Sequence, residues 1–137
     1  MIDPVSVNYL AVLAASVVSM LIGWAWYSPM VLGKQWMKEV GKRPEEIKKD
    51  MQGKAMAMAF VATLIMAYVL AHFVQYVTAV TLGDGVQLGF WIWLGFIAPV
   101  VATSVFFDGK SWKWFAITGG YQLVNAIVMA AILAMWS

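Results

Sequence analysis

The feature that most constrains this chain is a set of four long apolar stretches, each free of Lys, Arg, Asp and Glu. They cover about residues 6–28, 55–80, 86–107 and 114–136. Crossing a hydrocarbon core of about 30 Å takes about 20 helical residues at 1.5 Å each. Lipid offers no partners for backbone polar groups, so spans of this length must be helical. The sequence therefore predicts an all-α polytopic membrane protein, with four transmembrane helices in a compact bundle that forms a single domain over residues 1–137.

Composition supports a membrane location and excludes several kinds of site. Hydrophobic residues make up 63% of the 137 residues and charged residues 12%, about half of the ~25% that is usual for a soluble domain. The chain has no cysteine and one histidine, His72. A zinc site within one chain would therefore have too few ligands, and we expect no metal or other cofactor.

All nine basic residues lie in the two connectors that follow the first and third spans. The first connector carries Lys34, Lys38, Lys42, Arg43, Lys48, Lys49 and Lys54, and the second carries Lys110 and Lys113. In a four-span protein both connectors lie on one side, which the positive-inside rule assigns to the cytoplasm. We predict a multi-pass protein of the cell membrane, inner or plasma, with both termini on the non-cytoplasmic side. The first stretch lacks a basic n-region and is too long for a signal peptide, so it is predicted to be retained.

A structural elbow is predicted where the first span meets the cytoplasmic loop 31–54. Its residues are Trp26, Tyr27, Ser28, Pro29 and Gly33. Pro29 disfavours a helical conformation for Ser28, and the aromatic pair suits the depth of the headgroups. Residues 34–40 follow with Trp36, Met37 and Val40 on one side, which predicts a short amphipathic interfacial helix between helices 1 and 2. A gate or binding site is the alternative interpretation of the elbow.

Small residues recur at helix-packing spacing in several spans. Ala11, Ala15, Ser19 and Gly23 repeat every fourth residue in the first span, and Gly85 and Gly89 form a GxxxG pair where the third begins. Such residues let helix backbones approach closely in a membrane. Because there are several of these seams, we expect some faces to pack against another subunit, either a second copy or a different membrane protein.

The polar residues inside the spans allow two interpretations. His72, Gln75 and Tyr76 share a face of the second span, and Gln122 and Asn125 lie in the fourth. They form either a polar path, with the first three as an outer vestibule and the last two at a constriction, or a set of interhelical hydrogen bonds. Pro99 also marks a kink in the third span, where freed backbone groups need partners.

The sequence offers no support for catalysis or for nucleic-acid binding. No nucleophile elbow, phosphate loop or metalloprotease motif is present, and no carboxylate lies within a predicted span. The basic first connector also contains four acidic residues, which fits the orientation rule better than a phosphate-binding patch. We expect no enzymatic activity, and the lipid bilayer and other membrane-protein subunits as the partners.

Several motifs resemble those of an uncharacterised prokaryotic family, the domain of unknown function 1761 family. They are Asn8-Tyr9-Leu10-Ala11-Val12, Gly23-Trp24-Ala25-Trp26-Tyr27-Ser28-Pro29, Gly33-Lys34-Gln35-Trp36, Gly119-Gly120-Tyr121-Gln122 and the Ala-rich span that ends at Trp136. The resemblance covers essentially the whole chain. It implies a small four-helix membrane protein and no particular activity.

Two hypotheses of function follow. The first is a non-enzymatic protein that acts by helix association, as a homo-oligomer or as an accessory subunit of a membrane complex. The second is a small channel or facilitator with a neutral polar pathway, whose wall would need several subunits.

Overall fold

The computed structural model describes residues 5–28, 30–43, 45–46, 49 and 53–136. Within these ranges the chain is helical and forms no strand. The helices are α1 (Tyr9–Trp26), α2 (Gly33–Val40), α3 (Lys54–Tyr76), α4 (Leu82–Ile92), α5 (Ala98–Phe107) and α6 (Trp112–Met135), with a π-helical turn over Trp93–Ile97.

Four helices are long and apolar enough to cross a bilayer. They are α1, α3, the continuous helix Leu82–Phe107 formed by α4, the π-helical turn and α5, and α6. The predicted all-α, four-span architecture is confirmed, and α2 is the predicted short helix between the first two spans. Below, Leu82–Phe107 is called the third span.

Two span ends differ from the prediction, and hydrogen bonds explain both. The second span ends at Tyr76 rather than near residue 80, since Thr78 adopts a φ of 53° and its N–H donates to the carbonyl of Gln75. The third span begins at Leu82 rather than at 86. Thr81 and Asp84 form a capping box there, and an acid in the first turn stabilises the start of a helix.

The first and last spans are joined at the level of the termini. The side-chain oxygen of Asn8 accepts a hydrogen bond from the N–H of Ala11 (3.1 Å), which caps α1. Its amide nitrogen donates to the carbonyl oxygen of Trp136 at 2.6 Å. The start of α1 and the end of α6 therefore lie side by side, at the same end of the bundle, as an even number of spans requires.

Helix α6 lies at the centre of the bundle. It packs against α1, α3 and the third span, and α1 also packs against α3. The apolar core is formed where α1, α3 and α6 meet, and includes Ala15, Leu70, Val74 and Met129. The third span is peripheral: from Phe90 to Phe107 the one buried residue is Ala98.

Candidate functional site

The elbow after α1 is a tight backbone turn. The N–H of Gly33 donates to the carbonyl oxygen of Ser28 at 2.8 Å, and the N–H of Leu32 donates to that of Trp26 at 3.2 Å. A Cβ on Gly33 would overlap the carbonyl oxygen of Tyr27 and lie 2.7 Å from the carbonyl carbon of Ser28. This position therefore requires glycine for lack of space. Pro29 lies outside the described residues.

The elbow's aromatic side chains attach it to α6. The indole N–H of Trp26 donates to the carbonyl oxygen of Ile117 at 2.9 Å. The ring of Tyr27 makes edge-on contacts with Trp36 of α2 (5.2 Å between centroids) and with Tyr121 of α6 (5.4 Å). One turn of chain thus links α1, α2 and α6.

A second tryptophan holds α6 from the third span. The indole N–H of Trp93, in the π-helical turn, donates to the carbonyl oxygen of Gly119 at 2.9 Å. A carbonyl oxygen has two lone pairs, so it can accept such a bond and still serve the helix. A Cβ on Gly120 would lie 3.3 Å from the ring of Trp26. We call Trp26, Tyr27, Trp36, Trp93 and Tyr121 the aromatic clamp.

The clamp joins the segments on which the family resemblance rests. Trp26 to Trp36 and Gly119 to Gln122 are about 90 residues apart in the chain and in direct contact in the fold. The role of Trp93 was not predicted from the sequence. The signal available was the Gly119-Gly120 pair, since glycines in a span mark places where a bulky neighbour comes close to the backbone.

The small residues of the predicted seams lie where helices approach each other. Ala11, Ala15 and Ser19 are fully buried. A Cβ on Gly85 would lie 2.6 Å from the Cα of Ala131, one on Gly89 would lie 2.6 Å from the carbonyl oxygen of Ala126, and one on Gly23 would lie 3.0 Å from the hydroxyl of Tyr121. Backbone contact between the third span and α6 thus depends on Gly85 and Gly89.

Polar side chains between α1 and α6 are incompletely hydrogen-bonded. The hydroxyl of Tyr121 donates to the carbonyl oxygen of Ser19 at 3.3 Å. The side-chain oxygens of Ser19 and Asn125 are buried and have no partner in the described part of the chain. Gln122, half-buried, lies on the same helix. This seam retains unused hydrogen-bonding capacity.

The three polar residues of α3 have partners in α3 itself or in the segment before α1. Nδ1 of His72 lies 2.8 Å from the carbonyl oxygen of Tyr68, so Nδ1 carries the proton. The amide of Gln75 donates to the carbonyl oxygen of Ser6, and Tyr76 contacts the ring of Phe73.

No hydrogen bond within the described ranges joins His72, Gln75 or Tyr76 to Gln122 or Asn125. The core between α3 and α6 instead contains buried apolar side chains such as Val74 and Met129. The structure therefore presents two separate polar groups rather than one set.

The short helix α2 is attached to the bundle at the start of α6. The hydroxyl of Ser111 donates to a carboxylate oxygen of Glu39 at 2.5 Å. The hydroxyl oxygen of Ser111 also accepts a hydrogen bond from the N–H of Trp114 at 3.0 Å, which caps α6. Helix α2 ends at Val40, and its C-cap residue Gly41 has a φ of 72°. Among the described residues, no three His, Cys, Asp or Glu side chains converge to hold a metal ion.

Comparison with known proteins identifies a family and no activity. Residues 10–134 match the family model described as "Protein of unknown function (DUF1761)". No curated protein matches the chain, and no solved structure does. Since the match covers most of the sequence, the chain belongs to this family, and the resemblance in its motifs is confirmed.

Proposed function

We propose that this member of the DUF1761 family works by helix association within the membrane, as a homo-oligomer that uses the third span as its contact surface. The observation that carries the proposal is the third span's position. It packs on α6, and its remaining faces carry exposed side chains such as Phe96, Val100 and Phe107.

The π-helical turn leaves a backbone acceptor without a helical donor. The N–H of Ala98 donates to the carbonyl of Trp93, five residues back. Pro99 has no N–H. The two residues that could donate to the Leu94 carbonyl in an α- or π-turn are therefore both excluded. No side chain within the described ranges donates to it either.

This turn is open to the bilayer. Leu94 and Gly95 are exposed, and no atom lies within 4 Å of where a Cβ on Gly95 would be. An unsatisfied carbonyl costs several kcal/mol in hydrocarbon. A second helix that brings a donor to this turn would stabilise the protein, and the missing side chain of Gly95 leaves room for close approach.

The chain itself has a suitable donor, which favours a second copy as the partner. Tyr68 of α3 is 42% exposed, and its hydroxyl has no hydrogen-bond partner among the described residues. At 1.5 Å per residue, Tyr68 lies about 21 Å from Lys54 and Leu94 about 20 Å from Phe107, where the two spans meet the basic side. Donor and acceptor therefore lie at the same depth on different helices, an arrangement that permits a head-to-tail ring.

The test compares two tyrosines of α3. Wild type, Tyr68→Phe and Tyr76→Phe would be purified in mild detergent and their mass measured by light scattering. We expect an oligomer for wild type and Tyr76→Phe. For Tyr68→Phe we expect an oligomer that is less stable by about 0.6–2 kcal/mol per contact. Monomer should therefore appear at higher protein concentrations than it does for wild type.

A wild type that is monomeric at every concentration would contradict the proposal. If it were monomeric when purified alone but retained a second protein from its native membrane, the contact would belong to an accessory subunit instead. Equal effects of the two substitutions would exclude the Tyr68 contact.

The channel hypothesis has less support. A route from His72, Gln75 and Tyr76 to Gln122 and Asn125 would cross the apolar core that includes Val74 and Met129. Solute flux in liposomes that fell when Asn125 was replaced by Leu would favour the channel over association alone.

A further inference from the structure

A cleft between α1 and α3 opens sideways into the bilayer near the basic connector. Its volume is about 480 Å³, within the range of about 300–1,000 Å³ that is usual for small-molecule sites. It is lined by Val17, Met20, Leu21, Met56, Ala57 and Phe60, with Gly53 at the start of α3. An apolar wall that faces lipid suits a hydrocarbon chain.

The mouth of this cleft is basic. Gly53 immediately precedes Lys54, and a Cβ on Gly53 would lie 3.3 Å from the carbonyl oxygen of Lys49, so both lysines are at the α3 end of the cleft. Both are exposed, and neither forms an ion pair among the described residues. The connector 31–54 as a whole has seven basic and four acidic residues.

Two of the four acids of the connector have partners away from the cleft. Glu39 accepts a hydrogen bond from Ser111, and Glu46 lies 3.6 Å from Arg43. Lys49 and Lys54 carry positive charge at the α3 end of the cleft, and basic residues near the headgroups attract anionic lipids.

We propose that this cleft binds an anionic phospholipid, with one acyl chain between α1 and α3 and the phosphate held by Lys49 and Lys54. The apolar lining of the cleft suits an acyl chain, and the lysines favour a lipid with a negatively charged headgroup. The residues that line the cleft include neither Tyr68 nor any residue of the third span, so the lipid experiment and the oligomer experiment test different residues.

The experiment measures which lipid stays with the protein. Protein purified in detergent would be mixed with equal amounts of phosphatidylglycerol and phosphatidylcholine, washed, and analysed by native mass spectrometry. We expect phosphatidylglycerol to be retained in excess. Replacing both Lys49 and Lys54 by Gln should reduce that excess about thirtyfold. Replacing both Lys110 and Lys113 by Gln removes the same charge on the same side and should leave most of it.

A second pair of variants tests the cleft itself. Ala57→Phe fills it and should lower retention of phosphatidylglycerol, whereas Ala62→Phe adds the same ring to an exposed position of α3 that does not line it. Equal retention of the two lipids by wild type would overturn the proposal. Equal losses in the two lysine pairs, or in the two phenylalanine variants, would also overturn it, because general surface charge or bulk would then explain the binding.

Discussion

At the scale of single residues, the fold depends on positions where a backbone is approached too closely for a side chain. Gly33 is the tightest, because its Cα faces the carbonyls of Tyr27 and Ser28 across the elbow. The sequence predicts a turn at this glycine, since an aromatic-Ser-Pro segment precedes it. The sequence does not show that glycine is required here for lack of space rather than for a special backbone conformation, because that depends on how the turn closes.

Gly33→Ala should therefore destabilise the protein by about 1–3 kcal/mol, the usual cost of overpacking. Gly83→Ala is the matched control, since the nearest atom to its Cβ position is 3.9 Å away and alanine favours helix. Unfolding in mixed micelles would measure both. Equal stability of Gly33→Ala and wild type would contradict the elbow geometry.

A single hydrogen bond carries a second prediction at this scale. Trp26→Phe keeps an aromatic ring but removes the donor to the carbonyl of Ile117, which should lower stability by about 1 kcal/mol. Trp24 lies two residues away and is exposed, so Trp24→Phe should change the stability little. The same unfolding experiment applies, and an equal loss in the two variants would show that the indole N–H of Trp26 contributes nothing specific.

At the scale of elements, the four apolar runs make the spans predictable because length and the absence of charge are local properties. The ends of the spans are less predictable from the sequence. Asp84 was expected to stand outside the third span, but the capping box with Thr81 places it in the first helical turn. Pro99 predicts a break in that span. The structure has π-helical hydrogen bonds over Trp93–Ile97, and Trp93 of this turn reaches α6, a contact between distant residues that no local pattern predicts.

Two glycines of the third span should respond differently to replacement by leucine. Gly89→Leu places a side chain against the backbone of Ala126 and Ile127 and should destabilise the monomer. Gly95→Leu meets open space and should leave monomer stability near wild type while weakening the oligomer. Unfolding and light scattering together would separate the effects. Loss of monomer stability in Gly95→Leu would contradict its outward position.

At the scale of the whole molecule, the central position of α6 could not be predicted from the sequence. All four spans are similarly apolar, and the bonds that select α6 join residues far apart in the chain, as in the 91-residue separation between Trp26 and Ile117. The polar group of α3 and the polar seam of α1 and α6 share a helical bundle but not a path. The orientation of the bundle in the membrane follows from the distribution of the basic residues and remains a prediction.

That orientation can be tested directly because the chain has no cysteine. We expect Lys and Arg to retain the two basic connectors in the cytoplasm, which places the turn between α3 and α4 outside. A single cysteine at exposed Thr78 should react with a membrane-impermeant maleimide in intact cells. A single cysteine at exposed Ser111 should react only after the cells are permeabilised. Labelling of Ser111→Cys in intact cells, with Thr78→Cys protected, would show the opposite orientation, and the anionic-lipid cleft would then face the outer leaflet.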